Sequence, residues 1–224
     1  MTAQPPAASP AVPPKMELGV YVSKAWDLMK ANALLLIVTY LIAAILAGIP
    51  LVGLIIGGPV WFGFIRIIQK RYKGEPAEIG QVFDGFKTDF SKGLVTMLLL
   101  LAVCLCVFIP VIIAFIILNY IPCLGTVVGM LLYICAALAV GATLYFVFPI
   151  AALSEVAPVD AIKKGLKFMT ANMVPVVLLA LVTGLIAMAG IVACGIGVWF
   201  TAPMAITITV IAYNEWYLPN APAA

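Results

Sequence analysis

The sequence has no histidine and few charged residues of either sign. None of its 224 residues is His, so it lacks the side chain that most often moves protons near neutral pH and binds metal ions. Charged residues make up 9% of the chain, against about 25% in ordinary soluble domains. Hydrophobic residues make up 65%, and the mean hydropathy is +1.22. A globule of this size could not cover its surface with so few charges, so the composition predicts a membrane protein whose main partner is the lipid bilayer.

The charge balance and the residue types argue against two further classes of protein. Twelve Lys and Arg stand against nine Asp and Glu, a net charge of +3. This excess is too small to indicate a nucleic-acid partner, and no nucleic-acid-binding motif appears. No pairing of a nucleophile with a base and no metal-ligand pattern appears either. We therefore expect no enzymatic activity and no cofactor.

Charged clusters and long apolar stretches alternate along the chain. Residues 1–14 carry five prolines and no charge, which predicts a disordered tail. Apart from Glu215, the charges fall into three clusters, at residues 15–30, 66–92 and 155–167. The charge-free spans are residues 31–65, 93–154 and 168–214. Because one transmembrane helix needs about 20 apolar residues, we assign two crossings to each span, which predicts an all-α membrane protein with six transmembrane helices.

Pairing the crossings into three hairpins returns the chain to the same side of the membrane each time. The predicted turns lie near Pro50, at residues 119–123 and at residues 194–197. All three charged clusters then share one face, and the positive-inside rule assigns that face to the cytoplasm. Both termini are predicted to be cytoplasmic as well. A single crossing in residues 31–65 would instead carry a basic cluster out of the cell, against that rule.

An amphipathic segment precedes each predicted hairpin. Hydrophobic residues recur at helical spacing over residues 18–29, 79–90 and 159–169, with polar residues on the opposite face. Such helices are too polar to cross a bilayer and are suited to its surface. We therefore predict three interfacial helices on the cytoplasmic side.

The three amphipathic segments also indicate an internal repeat. Asn32 and Asn172 both stand where an amphipathic segment gives way to an apolar one, a position that favours a capping residue. The predicted repeat units are residues 15–73, 74–153 and 154–217. Together they form one six-helix domain over residues 15–217, followed by a short C-terminal tail at residues 218–224.

Two kinds of short motif suggest contacts between helices. Cys123 and Cys194 both fall near predicted outer-side turns, in an oxidising compartment, so we hypothesise a disulfide between the second and third hairpins. Gly-x-x-x-Gly motifs begin at Gly53 and Gly125 and permit close helix contact. Packing within one chain and dimerisation are both open for these glycines.

A group of neighbouring cationic residues is the feature of the sequence that best indicates a binding partner. Its members are Arg66, Lys70, Arg71 and Lys73. Each cation near an anionic leaflet is worth about 1 kcal/mol of attraction, so the group is a candidate site for anionic lipid at the membrane interface. Nearby carboxylates offset its charge, which favours a role in setting the membrane topology.

Parts of the second half of the chain resemble known membrane proteins. The motifs are Phe148-Pro149, residues 161–166 (AIKKGL), residues 195–197 (GIG), Thr201-Ala202-Pro203 and Tyr213. They are similar to the second half of several uncharacterised bacterial six-helix membrane families, and the resemblance covers residues 76–217. More remotely, the chain is similar to the membrane region of bacterial glycerophosphodiester phosphodiesterases, whose catalytic domain has no counterpart here. The resemblance implies a multi-pass protein of the bacterial inner membrane and implies no activity.

Two classes of function remain open. The first is a non-enzymatic membrane component that organises lipids or partner proteins, which the absence of charge from the apolar spans favours. The second is a permease or exporter of a small or lipid-like molecule, with helices kinked at Pro59, Pro149 and Pro203 around its path. A wide, water-accessible cavity lined by threonines would favour the permease. Continuous packing of side chains through the membrane midplane would favour the first class.

Overall fold

The computed structural model describes residues 15–120, 124–192, 195 and 197–221. Within these residues the chain is helical and contains no β-strand. This confirms the predicted all-α class. The predicted tail at residues 1–14 and both predicted disulfide partners, Cys123 and Cys194, lie outside the described residues.

Ten α-helices follow one another in the described part of the chain. They are α1 (Leu18–Ala31), α2 (Ala33–Gly48), α3 (Val52–Tyr72), α4 (Asp84–Thr88), α5 (Phe90–Leu118), α6 (Leu124–Leu144), α7 (Val147–Leu153), α8 (Pro158–Ala171), α9 (Met173–Val192) and α10 (Val198–Ala212). A 3₁₀ helix (Ile79–Phe83) precedes α4. A π-helical turn (Tyr213–Tyr217) and a 3₁₀ turn (Leu218–Asn220) continue α10.

The helices differ in their capacity to cross a membrane. Four spans within the described residues are long and apolar enough to do so: Val52–Tyr72, Phe90–Leu118, Gly125–Leu153 and Met173–Val192. Helices α1 and α2 meet at 95° and add a fifth if the bent pair forms one crossing. Taken separately, α2 has 16 residues and α10 has 15, and at about 1.5 Å per residue both are shorter than a hydrocarbon core of roughly 30 Å. The four to five candidate spans fit a membrane location, while six crossings remain a prediction.

Each amphipathic segment joins the next helix through one residue with a shared backbone conformation. These residues are Asn32 (φ −133°, ψ 27°), Asp89 (φ −139°, ψ 30°) and Asn172 (φ −130°, ψ 41°). Both asparagine side chains donate from Nδ2 to a carbonyl oxygen four residues earlier, on Leu28 at 3.0 Å and on Phe168 at 3.1 Å. Each asparagine therefore caps the end of the helix that precedes it. The three junctions share this conformation, and the threefold repeat stays a prediction.

Helix α3 forms the centre of the core. In an apolar 18-residue stretch of this helix, which we call its apolar window, 61% is buried. It packs against α2, α5, α7, α10 and the 3₁₀ helix before α4. Glycine permits the closest of these contacts: a methyl group at Gly58 would lie 2.0 Å from the carbonyl oxygen of Gly93 in α5. By contrast, 6% of the α5 window and 11% of the α6–α7 window are buried. One side of the molecule is thus tightly packed, and the other presents hydrocarbon to its surroundings.

Aromatic packing holds the break between α6 and α7. The ring centroid of Phe146, which lies in this break, is 5.5 Å from that of Phe168 in α8 and 5.4 Å from that of Tyr217 after α10. Phe168 also lies 5.0 Å from Trp216. All four side chains are buried, so the cluster fixes the start of α7 against α8 and the continuation of α10.

The three prolines predicted to kink helices occupy two kinds of position. Pro59 and Pro203 lie inside α3 and α10, whereas Pro149 lies in α7, shortly after the break that follows Leu144. A fourth proline, Pro110, lies inside α5 and falls outside the predicted pattern of one proline in each second crossing. Each of these four prolines lacks a backbone N–H group and so removes one hydrogen-bond donor from its helix.

Candidate functional site

Polar side chains gather in the last two turns of α3. This helix is uncharged from Val52 to Ile65 and then carries the polar and charged residues Arg66, Gln69, Lys70 and Arg71. Each of these four side chains bonds a residue of another element. We call residues 66–73, at the end of α3, and their bonding partners the polar end of the molecule.

Arg66 joins α3 to the start of α5 and to α7. Its Nε donates to the carbonyl oxygen of Ala152 at 3.1 Å, its Nη1 donates to the Thr88 hydroxyl at 3.1 Å, and its Nη2 forms a salt bridge with Asp89. Burial alone would raise the pKa of Asp89, but the hydrogen bond and charge of Arg66 outweigh burial and lower that pKa below its ordinary value. The carboxylate is therefore ionised at neutral pH and neutralises the guanidinium.

Two other cations of the predicted basic group are also held within the chain. Lys70 Nζ donates to the side-chain oxygen of Gln81 at 3.1 Å, and Arg71 Nε donates to Asn32 Oδ1 at 2.6 Å. Lys73 is exposed, and its ammonium group bonds none of the described residues. The structure thus brings the four cations to one end of α3, where three fasten the helix and Lys73 remains free to meet a ligand. The lipid-binding role of the group as a whole stays a prediction.

Glu215 belongs to the polar end, although sequence reasoning gave it no role. It accepts a hydrogen bond from Lys24 Nζ at 2.6 Å and another from the Tyr72 hydroxyl at 2.7 Å. The neighbouring Asn214 side chain exchanges two hydrogen bonds with Gln69, at 2.6 and 2.8 Å. A lone carboxylate after a long charge-free span is the sequence signal that could have found this contact, because such a group needs a cation near the membrane.

A polar cavity of about 430 Å³ opens beside Arg66. The charged residues that line it are Arg66, Lys73, Lys92, Asp89 and Glu155. Lys92 Nζ donates to the backbone carbonyl of Ser154 at 2.5 Å, which holds the ammonium group at the cavity wall. With three cations against two carboxylates, the cavity has a small positive excess and suits a singly charged anionic group such as a phosphodiester.

An apolar cavity of about 320 Å³ lies between α3, α5, α7 and α10. Its apolar walls include Trp61, Ile65, Met97, Phe148, Pro149 and Ile206. Its polar feature is a pair of hydroxyl groups, since Thr209 Oγ1 donates to Tyr145 Oη at 3.0 Å. Of the prolines predicted to surround a transport path, Pro149 lines this cavity, whereas Pro59 and Pro203 do not.

The buried threonines of the bundle all form hydrogen bonds within their own helices, and Thr183 also bonds the Tyr145 hydroxyl. Thr39, Thr96, Thr183 and Thr207 are buried, and each donates to a carbonyl oxygen four residues earlier, at 2.5 to 2.8 Å. Such bonds satisfy the hydroxyl groups without water. None of these four residues lines the polar cavity or the apolar cavity. Their arrangement is that of helix packing.

The Gly-x-x-x-Gly motifs face neighbouring helices of the same chain. A methyl group at Gly57 would lie 3.4 Å from the Cβ atom of Ala47 in α2, and one at Gly129 would lie 2.5 Å from the ring of Phe115 in α5. These contacts join α3 to α2 and α6 to α5. Of the two alternatives left open by the sequence, packing within the chain accounts for both motifs.

Metal-ligating side chains do not cluster in the described part of the chain. No group of three or more Cys, Asp and Glu residues there could hold a metal ion. Cys104, Cys106 and Cys135 are free thiols. Cys104 is half-buried, and Cys106 and Cys135 are exposed.

Comparisons with models of protein families, with curated proteins and with solved structures returned no match for this chain. The resemblance to bacterial six-helix membrane families therefore stays a prediction. Of the residues that carry it, Phe148 and Pro149 line the apolar cavity. Tyr213 is buried and stacks on Tyr217 with 5.2 Å between ring centroids.

Proposed function

We propose that this chain is a non-enzymatic, multi-pass protein of the bacterial inner membrane that organises lipids or partner proteins. In this proposal it crosses the membrane six times, as three hairpins. Each hairpin follows an amphipathic interfacial helix, and both termini lie in the cytoplasm. The gathering of basic residues at one end of α3 supports this orientation, because cationic residues favour the cytoplasmic side.

The hydrocarbon surface of α5 and α6 carries the proposal. These helices bury little of their length against the rest of the chain, and large apolar side chains such as Ile113, Ile117 and Leu131 are more than half exposed. An apolar surface of this extent is stable only against lipid or against another protein. The packed core at α3 would hold this surface in place, which supports an organising role.

Affinity purification of the full chain from native membranes in mild detergent tests the proposal. We expect specific lipids or proteins to be enriched over their abundance in the membrane, as identified by mass spectrometry. The paired substitution Ile113→Ala and Ile117→Ala on α5 should reduce that enrichment. The matched pair Leu181→Ala and Leu185→Ala on the exposed face of α9 should leave it unchanged. Recovery of the chain with bulk membrane lipid and no enriched protein would contradict the proposal.

The membrane topology has its own test. A reporter that is active only in the cytoplasm, fused after Lys73, should be active, and one fused in the α2–α3 turn should be inactive. The opposite pattern would overturn the proposed orientation and the hairpin arrangement together.

Export of a lipid-like molecule is the second candidate function. The apolar cavity favours it, because this cavity lies beside the break between α6 and α7 and holds one pair of hydroxyl groups. Proteoliposomes containing a fluorescent phosphatidylglycerol measure this activity directly. Protein-dependent movement of that lipid between leaflets would favour the exporter over the organising role.

A further inference from the structure

The polar cavity and the apolar cavity lie one beyond the other along the same elements. On α3 the apolar cavity ends at Ile65 and the polar cavity begins at Arg66. On α5 Lys92 lines the polar cavity and Met97 lines the apolar one. With a rise of about 1.5 Å per residue, these five positions separate the two linings by about 7.5 Å along the helix. Along α7, as along α3, the chain passes the apolar cavity first, at Phe148 and Pro149, and the polar cavity next, at Ala152 and Leu153, whereas α5 passes them in the opposite order.

The two cavities differ in chemistry as the two ends of a membrane lipid do. The apolar cavity has hydrocarbon and aromatic walls such as Met97 and Phe148. The polar cavity holds the ammonium groups of Lys73 and Lys92 beside the Arg66–Asp89 pair. Both volumes fall within the range of about 300–1,000 Å³ that is usual for ligand sites. Each cavity alone would fit part of an amphiphile.

We propose that the two cavities form one binding site for an anionic membrane lipid, with its phosphodiester group in the polar cavity and a hydrocarbon chain in the apolar cavity. Lys73 and Lys92 supply the cations that meet the phosphate, since Asp89 already neutralises Arg66. Free phosphate would occupy the polar cavity and leave the apolar cavity unfilled, so an amphiphile is the ligand that both cavities fit. This inference rests on the proposed function and names the class of lipid that the protein organises.

The charges of the polar cavity select against a zwitterionic lipid. Its net excess of one positive charge attracts a phosphodiester and disfavours a quaternary ammonium group, because Lys73 and Lys92 outnumber Glu155 once Asp89 pairs with Arg66. The neutral glycerol headgroup of phosphatidylglycerol carries no such cation. Phosphatidylglycerol should therefore bind more tightly than phosphatidylcholine with the same acyl chains.

Lipid titration of the purified full chain in detergent, followed by native mass spectrometry, tests the headgroup half of the site. Dioleoyl phosphatidylglycerol and dioleoyl phosphatidylcholine are the probes. Replacing both cations, Lys73→Gln with Lys92→Gln, should weaken phosphatidylglycerol binding about thirtyfold, since each cation contributes about 1 kcal/mol. The control pair Lys87→Gln with Lys163→Gln removes two exposed cations that do not line the polar cavity or the apolar cavity, so it should keep the affinity of the natural chain.

The chain half of the site is tested by filling the apolar cavity. Met97→Phe places a ring in the cavity and should weaken phosphatidylglycerol binding about tenfold, or about 1.4 kcal/mol, because the ring fills space that the hydrocarbon chain would occupy. Leu98→Phe adds the same ring at the next position of α5, which is exposed, and should leave binding unchanged. Thermal unfolding of every variant checks that it is folded. Should a double variant fail to fold, Lys73→Gln alone, at an exposed residue without a bonding partner, makes the same test.

Three results would overturn the proposed site. They are equal affinity for the two lipids, an equal loss in the control pair of lysine variants, and displacement of the lipid by inorganic phosphate at the lipid's own concentration. The last result would assign the polar cavity to a free anion. If lipids or proteins still co-purify while the site variants bind normally, the site fails and the organising function stands. If nothing is enriched and lipid movement is found, the organising function itself fails.

Discussion

The region around α3 and the region of α5 and α6 are both helical and apolar, but they bury their side chains to very different extents. In α3, 61% of the apolar window is buried, against 6% in α5. The sequence hides this difference, because the less buried helix has the higher mean hydropathy, 3.3 against 1.6. High hydropathy therefore shows that a helix can face lipid, and it does not show that the helix is buried. Small residues such as Gly58 and Gly63 mark the positions where α3 packs closely against its neighbours.

The largest contrast should come from one substitution made in both regions. Ile67→Ala removes a fully buried side chain and should lower the free energy of unfolding by about 3 kcal/mol, because a cavity replaces its contacts. Ile113→Ala removes a side chain that is 52% exposed, and lipid refills the space, so the expected loss is below about 0.5 kcal/mol. Reversible unfolding in mixed micelles, followed by circular dichroism, measures both values. Equal losses would remove the distinction between the two regions.

A glycine pair gives the next largest contrast. Gly58→Ala places a methyl group 2.0 Å from a backbone oxygen and should cost about 2 kcal/mol, because α3 and α5 must move apart. Gly141→Ala in α6 meets nothing within 4 Å and should stabilise its helix by up to about 1 kcal/mol. Thermal unfolding of the two variants should therefore shift in opposite directions. A neutral Gly58→Ala variant would contradict the close packing of α3 on α5.

Removing an ion pair should change the free energy of unfolding more at the polar end than at the exposed surface, by a smaller difference than the glycine pair gives. Arg66→Ala leaves the partly buried Asp89 without its partner and should cost about 1.5 kcal/mol, less than the roughly 3–5 kcal/mol of a fully buried pair. Lys87→Ala breaks an exposed pair with Asp84, 3.6 Å long, and should cost less than about 0.5 kcal/mol. The same unfolding measurement applies to both variants. A larger loss from Lys87→Ala would contradict the assignment of Arg66 as a fastening residue.

Acid pH should produce the smallest effect. The pKa of Asp89 is lowered in the folded chain, so its ion pair adds its full stability above the unfolded pKa of about 3.9 and loses it as pH falls through the folded value. The difference in unfolding free energy between the natural chain and Asp89→Asn should be constant near neutral pH. It should shrink below about pH 4. A difference that grows on acidification would have the wrong sign for this pair.

Composition and periodicity predicted the helical class and the positions of two junction residues. Asn32 and Asn172 stood out because the same amide recurs between an amphipathic and an apolar segment. Asp89 occupies the third junction with the same backbone conformation. The sequence pattern does not indicate this junction, because Asp89 carries a carboxylate where the other two junctions have an amide. At the three junctions the backbone conformation is therefore more similar than the residue types are.

The candidate site was less accessible to sequence reasoning. The basic group at the end of α3 predicts a surface for lipid or a topology signal, and no sequence pattern shows that Arg71 bonds Asn32 or that Lys70 bonds Gln81. The two cavities depend on helices that pack together from all three predicted repeats, which no local pattern encodes. Lys92 lines the polar cavity, yet in the sequence it was simply the last charge before an apolar span.

The hydrogen bonds of Glu215 constrain the order in which parts of the chain can pack during synthesis. Lys24 lies 191 positions before this carboxylate, and Tyr72 lies 143 positions before it. Both donors leave the ribosome while their acceptor has not yet been synthesised. Helix α1 therefore reaches its final anchoring only after Glu215 has been synthesised, so closure of the polar end must follow the synthesis of α10.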